Sequence, residues 1–411
     1  MLQHVERAVA AAPSGVDRFV AEGELDAFRG IFSVNRGERT RYLEQAVASF
    51  ETVLQVQPDH FWALGCFFDL STSLGRPPSA ARLEHYVALR PNSVAVFRAA
   101  AEHALKARDF DAAREYARRG RALDVPIDAR SAHAVSWVLM FPIHDALRQN
   151  DPRRALLEAD RVAADPRSRS PEMAYGIGFN LFLVYLQLGR LDRAEQIAAW
   201  GDMGASRNRF LAILARERGD RDALRRLLQR TFPQLDEVVG GSSNLASQVF
   251  LAFIDAGMLD SARELLQIIK ERVAADWRSP GTRLGASFSA AAEAHFSVAE
   301  GHAVRGVQLL EQFIRDNPGG RGMLRASLTL ADEWVRREKR ARAIGVLEHA
   351  SRSITLEGCP LDCMRLRERL AQLYRHDGRL AEAEGIEAEL LHLLSAAEDD
   401  FPMKQRLTRH H

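Results

Sequence analysis

One short phrase recurs along the chain and limits what it can fold into. It reads LQLGRLDRAEQIA at 186–198, IDAGMLDSARELL at 254–266, VAEGHAVRGVQLL at 298–310 and RHDGRLAEAEGIE at 375–387. Aligned on Gly189, Gly257, Gly301 and Gly378, each copy has a small residue five positions later: Ala194, Ala262, Gly306 and Ala383. A glycine that adopts positive φ ends one helix cheaply. A small residue early in the next helix lets two antiparallel helices approach closely. Tyr185, Phe253 and Tyr374 stand nine residues before their Ala, where a bulky side chain of the first helix fills the space left beside it.

The N-terminal part carries the complementary signal, a helix-stopping proline. Pro58, Pro91 and Pro126 close VLQVQP, YVALRP and GRALDVP, at spacings of 33 and 35, and Gly189 and Gly257 lie 68 apart, with another turn glycine, Gly219, between them. A hairpin with two apolar faces cannot bury both alone, so its neighbours must stack on it. The pattern gives about ten hairpins, at 20–58, 60–91, 94–126, 134–166, 174–201, 205–232, 243–275, 286–317, 324–353 and 361–394. Strand signals are nearly absent. The Gly/Ser run VVGGSSN at 238–244 reads as a joint, and DWRSPGTRLG at 276–285 as a second place to bend. The expected organisation is one array over 1–236, a second over 243–396 and a tail at 397–411.

A period near 34 built from paired helices resembles the tetratricopeptide repeat. The small–large–small skeleton of that family is readable in Ala101, Ala104, Ala113 and Ala117, with Pro126 behind them, and again in Leu181, Tyr185, Ala194 and Ala198. The resemblance implies an all-α fold, a right-handed superhelical α-solenoid, and a protein or peptide partner held in its concave groove. It makes the chain a non-enzymatic scaffold. Residues 2–13 look like the second helix of a hairpin whose first is missing, so the chain is expected to be the C-terminal part of a longer protein. Turns of the GRLDRAE kind are similar to those of arrays that follow the kinase domain in bacterial eukaryote-like Ser/Thr kinases, or that accompany bacterial transcription regulators. A regulatory, sensor or self-association array is therefore the alternative reading.

Composition narrows the function. Hydrophobic residues make up 46% of the 411, enough for a continuous core, while 56 basic residues oppose 55 acidic ones. A nucleic-acid partner is not expected, since it calls for an uncompensated basic face. The densest basic run, RREKRARA at 336–343, falls at a turn with Glu333, Glu338 and Glu348 close by. No apolar run approaches the roughly 18 residues of a membrane span, and MLQHVERAVAAAP lacks a signal-peptide layout, so a cytoplasmic location is expected. Three cysteines exclude a disulfide framework; Cys359 and Cys363 in GCPLDC read as ordinary thiols rather than half of a zinc site. Phosphate-loop, zinc-helix and kinase signatures are absent. GIGFNL at 176–181 lacks the third glycine of a dinucleotide loop, and HFSVAEGH offers His295 and His302 without a third ligand. No cofactor, metal or catalytic residue is assigned.

What remains is the groove lined by the first helix of each hairpin. Its inward residues are expected to be Arg98 and Glu102, then Asn180, Asn244, Gln248, Phe288, His295, Arg325, Asp332, Arg365, Arg369 and Gln372. Asn and Gln can pair with an extended peptide backbone. Arg365 and Arg369, one turn apart, suit a carboxylate. They also stand where chaperone-binding members of the resembled family keep basic residues for a peptide's C-terminal carboxylate, although Arg98 and Glu102 do not complete that clamp.

Overall fold

The computed structural model describes residues 2–409 except 13–14, 33–35, 77, 129–130, 201–205, 232–242, 276–279, 318–320 and 354–360. Every regular element among them is helical, and the chain is an all-α helical repeat. It divides into two compact units, Met1–Pro142 and Ile143–His411. The joint expected at 238–244 falls largely on residues outside the description, as do 276–279 of the bend expected at 276–285, whose remaining residues begin a helix at Pro280.

The first unit opens with α1 (Leu2–Ala11), which packs on the first hairpin, α2 (Val16–Phe32) with α3 (Arg36–Val56). Then come α4 (Phe61–Ser73) with α5 (Ala80–Leu89), and α6 (Val94–Lys106) with α7 (Phe110–Arg121). Helices α3, α5 and α7 end shortly before Pro58, Pro91 and Pro126, as a residue lacking an N–H requires. Helix α8 (Ala132–Arg148) runs through the boundary and pairs with α9 (Pro152–Ala164). The second unit continues with α10 (Ala174–Gln187) and α11 (Leu191–Ala198), α12 (Ser206–Arg218) and α13 (Arg221–Thr231), α14 (Ser243–Asp255) and α15 (Leu259–Ala275). It ends with α16 (Pro280–Ala299) and α17 (Ala303–Asp316), α18 (Arg321–Arg336) and α19 (Arg340–Ser353), α20 (Leu361–His376) and α21 (Leu380–Leu393), and α22 (Pro402–Thr408). The described helices thus form the ten pairs that the period implies.

A single turn geometry builds most of these pairs. Gly189, Gly219, Gly257, Gly301 and Gly378 all have φ between +68° and +86°. The residue after each donates its N–H to the carbonyl five positions back, for example Arg190 to Tyr185 at 2.8 Å and Arg379 to Tyr374 at 2.9 Å. That bond closes the orphan carbonyls of the ending helix. Arg108, Asn150 and Glu338 make the same turn at φ +62°, +56° and +60° without being glycine. Asp109, Asp151 and Asp220 follow such positions and cap the next helix by accepting the N–H three residues on, at 2.9 to 3.0 Å.

Behind each turn lies the close approach. Ala113, Ala155, Ala194, Ala262, Ala343 and Ala383 are all fully buried. Gly306 is tighter still, since an added Cβ would stand 2.5 Å from Val298 Cγ2. The bulky partners are buried where expected: Tyr185, Phe253 and Tyr374. Burying a side chain of that size contributes about 2–3 kcal/mol. The hydroxyls of the two tyrosines also reach the preceding hairpin. Tyr185 donates to Asp160 at 2.9 Å and Tyr374 to Glu348 at 2.7 Å. In the first unit Tyr116 donates to Glu84 at 2.8 Å in the same way.

The second unit also folds back on itself. Residues 397–408, set apart as a tail by sequence, bury Phe401, Met403 and Leu407. The Glu398 N–H donates to the Gly189 carbonyl at 3.1 Å, and Glu398 Oε1 accepts the Asp192 N–H at 2.8 Å. The His392 Nε2–H donates to the Asn150 carbonyl, also at 2.8 Å. Gly189 is needed here twice, for its φ of +68° and because a Cβ would meet Ala397 at 2.5 Å. The last helices of the unit are thereby fastened to its first two hairpins.

Candidate functional site

The first helices of the hairpins bring most of the described groove candidates of the second unit together. On α18, Arg325, Leu328, Thr329 and Asp332 recur at one-turn intervals, and on α20 Arg365, Glu368, Arg369 and Gln372 do the same. These eight residues line a cavity of about 250 Å³. Arg369 Nε donates to Asp332 at 2.9 Å and its Nη1 to Gln372 at 3.1 Å. Arg406, from α22, grips Glu368 with two bonds of 2.6 and 2.9 Å.

Arg325 and Arg365 also line a second cavity, of about 330 Å³, with Arg216, Arg221, Asp220 and Asp255. Arg325 Nη2 binds both oxygens of Asp255, at 2.9 and 3.1 Å. Arg365 Nη2 binds Glu217 Oε2 at 2.5 Å and its Nη1 binds Asp362 at 3.3 Å. Arg216 holds the other oxygen of Glu217 through Nε and Nη2, at 3.1 and 2.9 Å. Arg365 and Arg369, the pair suited by spacing to a partner's carboxylate, each already hold a carboxylate of this chain.

Burial and charge set the protonation of this cluster. Burial alone would raise the Asp362 carboxyl, but the guanidinium groups of Arg325, Arg365 and Arg216 outweigh it and hold it below the usual range. Burial likewise opposes the charge on Arg216, and Glu217, Asp362 and Asp255 more than restore it. His295 is buried beside them, with Nδ1 3.1 Å from the Thr329 hydroxyl. Burial, then the charge of Arg325, pushes its pKa down to about 3, so it stays neutral.

The other expected groove residues behave differently. Arg98 donates to Glu102 at 2.7 Å on α6, within the first unit. Asn180 is exposed and donates to the Gly176 carbonyl of its own helix at 2.8 Å, leaving its amide only partly available. The side chains of Asn244, Gln248 and Phe288 lie outside the described residues. Sequence reasoning passed over Arg216, Glu217, Asp255 and Asp362. One signal was present: Glu217 and Asp255 sit in the last turn of α12 and α14, where the helix dipole disfavours a carboxylate and a compensating cation is to be expected.

The cysteines need one correction. Cys363 is buried and disulfide-bonded rather than an ordinary thiol, which three cysteines in a chain of this length did not suggest. Cys66, half-buried in the first unit, keeps its thiol, which burial pushes up to about 12. Among the described residues no group of three or more His, Cys, Asp or Glu is placed to hold a metal ion, and no helix is long and apolar enough to cross a membrane.

No family model matches the chain, and no curated protein sequence matches it. Solved structures do resemble it at low identity. The human IFIT1 dimer with m7Gppp-AAAA is 15% identical, with 95% of this chain and 76% of that one covered and a TM-score of 0.43. A tetratricopeptide repeat protein from Parabacteroides merdae is 15% identical, over 66% of this chain and 97% of that one, with a TM-score of 0.37. Yeast Tom70 is 12% identical, over 93% and 94%, with a TM-score of 0.32.

Proposed function

We propose that the chain is a non-catalytic helical-repeat scaffold that holds a peptide or protein segment against α18 and α20 of its second unit. The observation that carries this reading is the 250 Å³ cavity between those helices. A carboxamide (Gln372), a hydroxyl (Thr329), three guanidinium groups and two carboxylates converge on it at one-turn spacing. Such a surface reads an extended backbone through its amide and hydroxyl groups and side chains through its charges. The intrachain pairs Arg369–Asp332 and Arg406–Glu368 hold those charges in place before a partner arrives, which reduces the ordering cost of binding. The titratable groups around the cavity are matched in ion pairs, an arrangement suited to recognition rather than to proton transfer.

The test is a display library of random peptides panned on the full chain, followed by binding of the selected peptides to the double variant Arg369→Glu, Gln372→Ala. The reading requires peptides that bind the parent chain and lose at least tenfold in affinity on the variant. Peptides that bind both forms equally would remove the site from α18 and α20.

A further inference from the structure

The 330 Å³ cavity has a feature that the peptide reading does not use: the guanidinium groups of its wall keep N–H donors that no acceptor among the described residues takes up. A guanidinium carries five N–H donors on three nitrogens. Arg325 commits only Nη2, to Asp255, so Nε and Nη1 have no acceptor among the described residues. Arg365 commits Nη1 and Nη2 and keeps Nε. Arg216 commits Nε and Nη2, both to Glu217, and keeps Nη1. Arg221, exposed at the start of α13, has no carboxylate partner among the described residues.

The carboxylates of the wall are engaged within the chain. Both oxygens of Asp255 face Arg325 Nη2, Glu217 divides its two between Arg216 and Arg365, and Asp220 Oδ1 caps α13 through the Ala223 N–H at 2.9 Å. With Glu217 and Asp362 behind the wall, four guanidinium groups meet four carboxylates. A guest therefore gains from the unspent donors more than from net charge. Those donors come from four helices, α12, α13, α18 and α20. A planar carboxylate presents its acceptors in one plane, whereas a tetrahedral oxyanion accepts from several sides at once. The volume is that of a small-ligand pocket and leaves room beyond the oxyanion itself.

We propose that this cavity is a binding site for the phosphate group of a small molecule, with Arg221, Arg325, Arg216 and Arg365 as its donors. The two cavities share Arg325 and Arg365, but Arg221 lines this one alone and Arg369 only the other, so variants at those two positions distinguish the proposal from the peptide reading.

The test is calorimetric titration of the full chain at low ionic strength with inorganic phosphate, pyrophosphate and malonate. Phosphate or pyrophosphate should bind one per chain and more tightly than malonate. Arg221→Gln, which breaks no ion pair, should weaken binding about tenfold or more, the loss of one charge-assisted contact. Arg340→Gln, at the exposed first residue of α19, should leave it unchanged, and thermal melting of both variants should match the parent. Failure of phosphate and pyrophosphate to bind would overturn the proposal. So would tighter binding of malonate, or an equal loss in Arg340→Gln, which would move the anion to the outer surface.

Discussion

Arg365 and Glu217, separated by 148 positions in the chain, form a direct ion pair at 2.5 Å inside the second unit. Glu217 is almost fully buried and shared with Arg216, while Arg365 also reaches Asp362. The pair ties a helix near the start of the unit to one near its end. Local helix propensity cannot supply such a link, because neither residue has the other within reach along its own element.

Removing one partner leaves the other buried and uncompensated. Arg365→Gln and Glu217→Gln are each expected to cost about 2–4 kcal/mol in urea unfolding. The double variant should cost less than the two together, with a coupling energy of about 1–3 kcal/mol. Strict additivity would show that the contact does not hold the unit together.

Two glycines separate close packing from helix propensity. Gly306→Ala places a Cβ against Val298 and should destabilise the protein by about 1–3 kcal/mol. Gly385→Ala, in α21, meets nothing within 4 Å and should stabilise it by about 0.5–1 kcal/mol. The sign of the two shifts in the thermal midpoint checks the geometry of the hairpin.

His103 and His295 give the fold a common acid sensitivity. Burial first, and then nearby cations, lowers His103 to about 4 and His295 to about 3. His103 has Nδ1 2.8 Å from the Thr72 hydroxyl. The unfolded state takes up these protons near pH 6.5 and the folded state does not. Stability from each histidine is therefore complete above pH 6.5 and falls as the pH drops toward the folded value, by up to about 1.4 kcal/mol per pH unit. His295→Asn should flatten that slope in denaturation series between pH 7 and 4.5.

Glu398 and Asp192 make the opposite kind of pair. Burial and the hydrogen bond to Asp192 raise the Glu398 carboxyl above its ordinary value. Asp192 is also partly buried, but the hydrogen bonds from Glu398 and Arg190 overcome this and hold it low. The Glu398 contribution is complete below its unfolded pKa and is lost as the pH rises through its folded one. That of Asp192 is present above its own unfolded pKa and is lost as the pH falls. Glu398→Gln keeps the acceptor for the Asp192 N–H and no longer ionises. At pH 7 it should be at least as stable as the parent, by less than about 1 kcal/mol because both groups are partly solvated.

The hairpins were legible because their logic is local. A glycine at positive φ, an Ala five residues on and a bulky residue nine before that Ala all fall within one phrase, and Tyr185, Ala194 and Gly189 occupy those places. Arg108 and Glu338 make the same turn and were hidden, since nothing in an Arg or Glu side chain announces positive φ, whereas Asn150 is of a type that tolerates it. The one-turn spacing of Arg325, Asp332, Arg365, Arg369 and Gln372 along α18 and α20 was readable in the sequence. Their partners were not, because Glu217 and Asp255 meet Arg365 and Arg325 only after the unit has folded back. The docking of 397–408 was unreadable for the same reason. Phe401 and Glu398 find their places on Gly189 and Asp192, about two hundred residues upstream.

Amide hydrogen exchange of the full chain, read at Asp192 and Glu398, tests most directly whether the second unit is fastened end to start. The N–H groups of both residues are bonded across that junction, to Glu398 Oε1 and the Gly189 carbonyl. Both should exchange slowly in the parent chain. In Phe401→Ala both should speed up together by at least tenfold while the Ala262 amide, inside α15, keeps its protection. Rapid exchange at Asp192 and Glu398 in the parent chain, equal to that of an open loop, would contradict the closure and the preformed interior that depends on it.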